Sequence, residues 1–168
     1  MTDIRDGEEA LAIDPATLPA DAGLVFIGYV HSPWTTRADC PKNMAAAREV
    51  AKPASATVDE AYRRGLTGLD AASHVVLLTW LGDAGRNLIL QRPRHRPEAT
   101  GTFALRSPVR PNPIGLHVVR LLGVDVATGV IQLEAIDVLD GTPLLDIKPY
   151  FASTDAIPDA SFQRRDQQ

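Results

Sequence analysis

Cysteine is nearly missing from this chain: its 168 residues include one, Cys40. A single thiol excludes an internal disulfide framework and a cysteine-based zinc site. Histidine is sparse as well. His31, His74, His95 and His117 are scattered and form no HxxxH or HxH pair, so no metal site is expected. No run of about 20 apolar residues occurs, and no membrane-spanning helix is expected. The opening MTDIRDGEEA is acidic and polar and does not read as a signal peptide, which makes the cytoplasm the expected compartment. GxGxxG, GxxxxGKS and GxxxxGKT are all absent, which disfavours the nucleotide-binding folds with the strongest sequence signals. Long helices between strands are missing too, and a parallel doubly wound sheet would need them.

What is present is a set of short β-branched runs broken by proline and glycine. Leu24 to Val30 reads as a buried strand stopped by Ser32-Pro33. Asn43 is placed to cap a short helix from Met44 to about Val50, ended near Pro53. Thr57-Val58 suggests a brief strand, and Asp59-Glu60 opens another short helix stopped by Gly65 or Gly68. Ser73 to Leu81 is a strand apolar on both faces, residues 86–91 a further candidate, and Gly101 to Leu105 another. Leu116 to Asp125 and Val130 to Val138 form strands joined by Ala127-Thr128-Gly129. Asp140-Gly141 is a turn, and Thr142 to Ile147 a last strand. This pattern predicts an all-β, mainly antiparallel chain whose sheet closes into a compact β-barrel with a few short helices. The expected organisation is a flexible acidic arm over residues 1–22, a barrel domain over 23–151, and a loose tail over 152–168.

Charge is divided unevenly. Residues 1–22 hold six acids and one base, a balance of −5; the whole chain carries −4, so the remainder carries +1. Between Arg86 and Arg110 lie Arg86, Arg92, Arg94, Arg96, Arg106 and Arg110 against Glu98 alone. Such a segment suits phosphate, although a solvated loop with scattered arginines has the same composition.

Two segments carry the chemistry. In Arg106-Ser107-Pro108-Val109-Arg110-Pro111-Asn112-Pro113-Ile114-Gly115, three prolines fix φ and push their predecessors out of the α region. The product is a stiff loop bearing two arginines and an amide, of the kind that holds side chains for a ligand. The second segment, Asp137 to Tyr150, sets three acids and Lys148 around a tight turn in apolar surroundings. Trp34 and Trp80 read as core or interface anchors, Cys40 lacks an evident base partner, and each histidine reads as structural.

The order of these motifs resembles the TrmO family, the TsaA-like domain. The matching residues are Ile27-Gly28-Tyr29-Val30-His31-Ser32-Pro33, Pro41-Lys42-Asn43, Gly65-Leu66 with Leu69 and Ala72-Ser73-His74, Gly101-Thr102-Phe103-Ala104-Leu105-Arg106-Ser107, and Arg110-Pro111-Asn112-Pro113-Ile114-Gly115. The series ends with Asp137, Asp140-Gly141-Thr142-Pro143 and Asp146-Ile147-Lys148-Pro149-Tyr150. One motif departs from the family: Pro41-Lys42-Asn43 stands where it has an arginine-glutamine form, and lysine lacks arginine's planar fork.

The resemblance implies a dimerising β-barrel that binds S-adenosylmethionine near the subunit interface and methylates N6 of threonylcarbamoyl-adenosine at position 37 of tRNA. By motif, the donor site would involve Pro41, Lys42, Asn43, Gly82, Asp83, Arg106, Leu116, Asp140, Gly141, Thr142 and Pro143. Asp140 and Asp146 are candidates for a general base, with Asn112 beside them as a catalytic amide for an adenine edge. Arg110, Asn112, Lys148 and Tyr150 are candidates for the substrate side. Two alternatives stay open: the same donor with a small-molecule acceptor, and a dimer that binds donor or nucleotide without turnover.

Overall fold

The computed structural model describes residues 4–93 and 98–162. Arg94, His95 and Arg96 of the cationic segment therefore lie outside the described residues, as does the chain beyond 162. Six strands close an antiparallel barrel: β2 (Gly28–His31), β3 (Ala54–Val58), β4 (His74–Trp80), β7 (Ile114–Asp125), β8 (Val130–Leu133) and β9 (Pro143–Pro149). Their order around the ring is β2-β3-β8-β7-β4-β9. The longest ladder runs from His74↔Arg120 to Trp80↔Ile114. Strands β1 (Glu9–Ala10), β5 (Leu88–Gln91) and β6 (Thr100–Gly101) form a small second sheet, and two short helices, α1 (Met44–Val50) and α2 (Ala152–Asp155), complete the inventory among the described residues with four 3-10 turns.

The period of two decides which side chains fill the barrel. Val75, Leu77 and Thr79 of β4 point inward, as do Gly115, His117 and Val119 of β7. They join Val30, Val58, Ile131, Leu133, Ile136 and Leu144 in one core. The other face of β4 is apolar but half-buried, so the double-sided hydrophobicity expected from Ser73 to Leu81 is present. Asn43 caps α1 as expected, its Oδ1 accepting from the Ala46 N–H at 2.9 Å.

Three elements differ from the sequence reading. The first strand begins at Gly28; Leu24, Val25 and Phe26 are exposed. Backbone partners begin at Ile27, which bonds Leu144 and Asp59, and the ladder proper at Gly28, with Val58 on one side and Leu144 on the other. A Cβ at Gly28 would meet the Thr57 carbonyl oxygen at 1.9 Å, so this close approach requires glycine. The strand expected over Val130 to Val138 stops at Leu133, because its partner β3 begins at Ala54, opposite Leu133. Beyond it one backbone bond to β7 remains, from the Glu134 N–H to the Arg120 carbonyl at 3.1 Å, and side chains take over: Trp34 Nε1–H donates to the Ile136 carbonyl at 2.8 Å and Ser32 Oγ–H to that of Val138 at 2.7 Å. Over Gly101 to Leu105, Gly101 ends the two-residue strand β6 and Thr102–Ala104 form a 3-10 turn.

Part of the segment read as a flexible arm is held in place. Glu9 pairs with Leu90 and Ala10 with Leu88, and the Leu11 N–H donates to Asn87. The Glu8 carboxylate is 1% exposed; it accepts from the Arg92 backbone N–H at 3.0 Å and from Arg5. In the tail, residues 152–155 form one helical turn closed by Asp155 on the Phe151 N–H.

Candidate functional site

The proline loop is clasped by its own polar groups. Arg110 donates from Nε to the Ser107 carbonyl at 2.9 Å and from Nη2 to those of Thr102 and Leu105. Buried Gln91 reaches Thr102 Oγ1 at 2.8 Å and the Val109 carbonyl, while Thr102 donates to Leu88. Arg86 donates from Nε to the Pro111 carbonyl at 2.6 Å and from Nη2 to Asn112 Oδ1 at 3.2 Å, and its guanidinium lies 5.7 Å from the Trp80 ring centre. The stiffness expected from three prolines is thus reinforced by hydrogen bonds to peptide carbonyls that no strand satisfies. Arg110, read as a substrate contact, spends its guanidinium within the loop. Asn112 has its carbonyl engaged by Arg86 and keeps the amide nitrogen as a donor. Arg106 differs from both: it is exposed and makes one bond, from Nη2 to the Leu116 carbonyl at 3.0 Å.

The Asp140-Gly141 turn is tied to the end of β2. Asp140 N–H donates to Trp34, Gly141 N–H to Val30, and Val30 N–H returns a bond to Thr142, all between 2.8 and 2.9 Å. Gly141 sits at φ 75°, where a Cβ is disfavoured. Asp140 Oδ1 accepts from the Ser32 N–H at 3.1 Å, and His31 Nδ1 lies 3.9 Å away. The Asp140 side chain stays 51% exposed, free to meet a ligand.

Strand pairing gathers these parts at one end of the barrel. Pro143 pairs with Tyr29 and Leu144 with Thr79, while Thr79 and Trp80 pair with Gly115 and Ile114. Leu81 N–H donates to the Pro113 carbonyl, placing Gly82 and Asp83 beside the proline loop. Turn 140–143, Gly82, Asp83, Arg106 and Leu116 therefore share one rim. Pro41 and Lys42 lead into α1, which is tied to β7 by Arg48 donating to the Val118 carbonyl at 2.7 Å. The side-chain carbonyl of Asn43 is already used as the helix cap.

Asp146, Lys148 and Tyr150 lie farther along β9, opposite Leu78, Val76 and the start of β4. At about 3.3 Å per residue, Tyr150 is roughly 20 Å along the strand from Pro143. Asp146 and Lys148 form an exposed ion pair at 2.7 Å. Asp146 and Tyr150 line an open cleft with Tyr62, Gly68, Ser73 and Phe151. Asp146 stands opposite Leu78, as does Leu116 on the other side of β4; its carboxylate is paired with Lys148, whereas that of Asp140 accepts from the Ser32 N–H.

One group of polar residues was passed over in the sequence. His117 is buried in the barrel, with Nδ1 2.6 Å from Asp137 Oδ1 and Nε2 2.9 Å from Thr79 Oγ1. The alternation Gly115, His117, Val119 was the available signal, since it puts the imidazole on the core face, where it needs partners. Cys40 is buried nearby; burial pushes its thiol upward, with Arg37 opposing and the Asp137 carboxylate adding to the shift. Among the described residues no cluster of three or more His, Cys, Asp or Glu side chains is arranged to hold a metal, and no helix is long and apolar enough to cross a membrane.

The family model of the tRNA-methyltransferase O N-terminal domain matches residues 29–156. The probable S-adenosyl-L-methionine-binding protein VirR of Rhizobium radiobacter is 37% identical over 148 residues, covering 88% of this chain and 80% of that protein. The tRNA (adenine(37)-N6)-methyltransferase of Mus musculus is 43% identical over 94 residues, 54% of this chain and 21% of the mouse protein. The crystal structure of TrmO from Pseudomonas aeruginosa superposes with a TM-score of 0.69 at 35% identity, covering 84% of this chain and 61% of that one. The chain thus spans less than two thirds of the solved relative. A domain model matched from Tyr29 to Ala156, on a barrel that superposes with a solved member, leads to one conclusion: this chain belongs to the tRNA-methyltransferase O family, through that family's N-terminal domain.

Proposed function

We propose that the protein is an S-adenosylmethionine-dependent methyltransferase acting on N6 of threonylcarbamoyl-adenosine at position 37 of tRNA, and that it works as a homodimer in the cytoplasm. The observation that carries this reading is the convergence of turn 140–143, Arg106 and Leu116 on one rim, in a chain of this family. The side chains there suit the donor's chemistry. Arg106 offers a guanidinium with spare donors for a carboxylate. Asp140 offers an exposed carboxylate for a cationic group, and Leu116, 47% exposed, offers apolar surface for a purine face.

S-adenosylmethionine, when bound, supplies a methyl group already activated on a sulfonium. The chain's task is then chiefly alignment of the acceptor with that methyl. Acylation makes the acceptor N6–H more acidic than that of a plain amine, so a modest base suffices. Asp140 is the preferred base because it stands on the donor rim, whereas Asp146 is paired with Lys148. The amide nitrogen of Asn112 would donate to an adenine ring nitrogen. Lys148 and Tyr150 belong to the substrate side, and the exposed Asp146–Lys148 pair is weak enough to yield to a phosphate. Dimerisation reconciles the two ends of β9: the cleft of one subunit would face the donor rim of its partner.

One observation favours a small-molecule acceptor instead. Arg92 of the cationic segment is engaged by Asp6 rather than open to phosphate. Incubation with labelled donor and two tRNA pools, one carrying and one lacking the threonylcarbamoyl group, separates these readings. Label should enter the modified pool alone; label in neither pool would overturn the RNA reading.

A further inference from the structure

His117 joins the two halves of the donor rim. Its backbone follows Leu116, whose carbonyl holds Arg106. Its side chain reaches in the other direction, to Asp137, three residues before the Asp140-Gly141 turn. The segment from Ile136 to Asp140 is otherwise bonded to β2 and the residues after it, through Ser32, Trp34 and Val30. Those bonds fix the turn against β2 but not against β7, where Arg106 is anchored.

The bond is built for precision. At 2.6 Å between carboxylate oxygen and ring nitrogen, the contact is a short hydrogen bond. Thr79 meets the second nitrogen from β4, so the ring is oriented at both ends. Gly115 leaves the space the ring occupies: a Cβ there would lie 2.6 Å from His117 Nε2 and 2.4 Å from Thr79 Oγ1. The ring itself is sealed inside the barrel, with His117 5% and Thr79 0% exposed, so the imidazole does not meet substrate directly.

We infer that His117 is a positioning residue for donor binding: through Asp137 it sets the distance between the Asp140–Pro143 turn and the Arg106–Leu116 edge. The inference rests on the donor reading given above. A displacement of about 1 Å far from the reacting atoms can cost on the order of 100-fold in function, so a loosened turn should be visible in donor affinity.

The test compares His117→Leu with His117→Asn. Leucine fills the space but cannot bond Asp137; asparagine is smaller, yet its amide nitrogen sits near the position of Nδ1 and can donate. If His117 merely fills the core, Leu is the better replacement. If it positions the turn, Asn is. In folded variants, by calorimetric titration with S-adenosylmethionine, His117→Leu should weaken binding at least about tenfold while His117→Asn stays within roughly threefold. Turnover at saturating donor should fall as well in His117→Leu, because the loosened turn carries Asp140, and should stay close to wild type in His117→Asn; the KM for tRNA should change little in either. A second readout needs no donor: amide hydrogen exchange at residues 139–142 should accelerate in His117→Leu and not in His117→Asn. Equal donor affinity with unchanged exchange in His117→Leu would overturn the inference, as would a Leu variant superior to Asn in both measurements. If the wild-type protein bound no donor, the donor reading would fail by itself, and the exchange comparison would still decide whether His117 holds the turn.

Discussion

Asp6 and Arg92, 86 positions apart in the chain, form an ion pair at 3.0 Å, with a second bond from Arg92 to the Asp6 carbonyl at 3.2 Å. The acidic N-terminal segment thereby occupies an arginine of the cationic stretch, and β1 covers the edge of β5. An exposed pair of this kind contributes little to stability, at most about 1 kcal/mol, so a polyanion can compete for the arginine.

Removal of residues 1–22 should therefore strengthen tRNA binding several-fold and steepen its dependence on salt. It unmasks Arg92 and takes away a charge of −5 that repels phosphate. Asp6→Asn should give a smaller change in the same direction. Filter binding across a salt series measures both. Unchanged affinity and slope in the truncated protein would argue for a small-molecule acceptor.

Arg106→Ala should leave the fold intact, since the side chain is exposed and makes one bond. Donor affinity should fall by roughly tenfold to a hundredfold, the range expected when one charge-assisted hydrogen bond to a ligand is removed. Calorimetry on a variant with an unaltered melting curve is the check; wild-type affinity would remove Arg106 from the site.

Donor binding should survive a chelator. No ligand-spaced His or Cys occurs in the sequence, and among the described residues no group of three or more His, Cys, Asp or Glu is arranged to hold a metal. The measurement is donor titration before and after treatment with EDTA, and loss of binding would count against the reading.

Docking of the arm should depend on pH through Glu8. The hydrogen bond from Arg5, with further bonds from the Arg92 and Arg5 backbone N–H groups, lowers its carboxyl to about 2 from an ordinary 4.5. A depressed carboxyl contributes stability that is complete above the unfolded value and disappears as pH falls through the folded one. The arm should thus stay paired at neutral pH and release between about pH 4.5 and pH 2. Glu8→Gln should lose the same contact at every pH. Hydrogen exchange at residues 8–11 against pH, in both proteins, reads this directly.

Gly115→Ala should destabilise the protein by about 1–3 kcal/mol, the usual cost of forcing an extra carbon into a packed interior. The new Cβ meets Thr79 and His117, so donor affinity should fall along with the melting temperature. A stable variant with unchanged affinity would show that the ring moves aside freely.

Local chemistry was legible where it acts over a few residues. Asn43 before an alanine-rich run is a helix cap in the sequence and in the structure. The missing helices predicted a barrel, and the barrel is there. Ser73 to Leu81 read as an interior strand because seven of its nine residues are apolar or β-branched, and β4 occupies His74–Trp80 within it. Strand ends were not legible. Leu24, Val25 and Phe26 have strand chemistry, yet a strand needs backbone partners, and the first of these are at Ile27, which bonds Leu144 and Asp59. The same reasoning explains why β8 ends at Leu133 although the apolar sequence continues.

By itself, then, the sequence determined the fold class, the α1 cap, the turns at Gly129 and Gly141, and the rigid proline loop, because each follows from short-range propensity and side-chain period. Tertiary structure alone decided the rest. It turned Arg110 back onto its own loop, put Asp146 and Lys148 along β9 from the Asp140 turn, and docked Glu8 under Arg92. It also joined His117 to Asp137, twenty residues apart. These relationships depend on barrel register and on which buried donors lack a strand partner, and both are settled only when all six strands have closed.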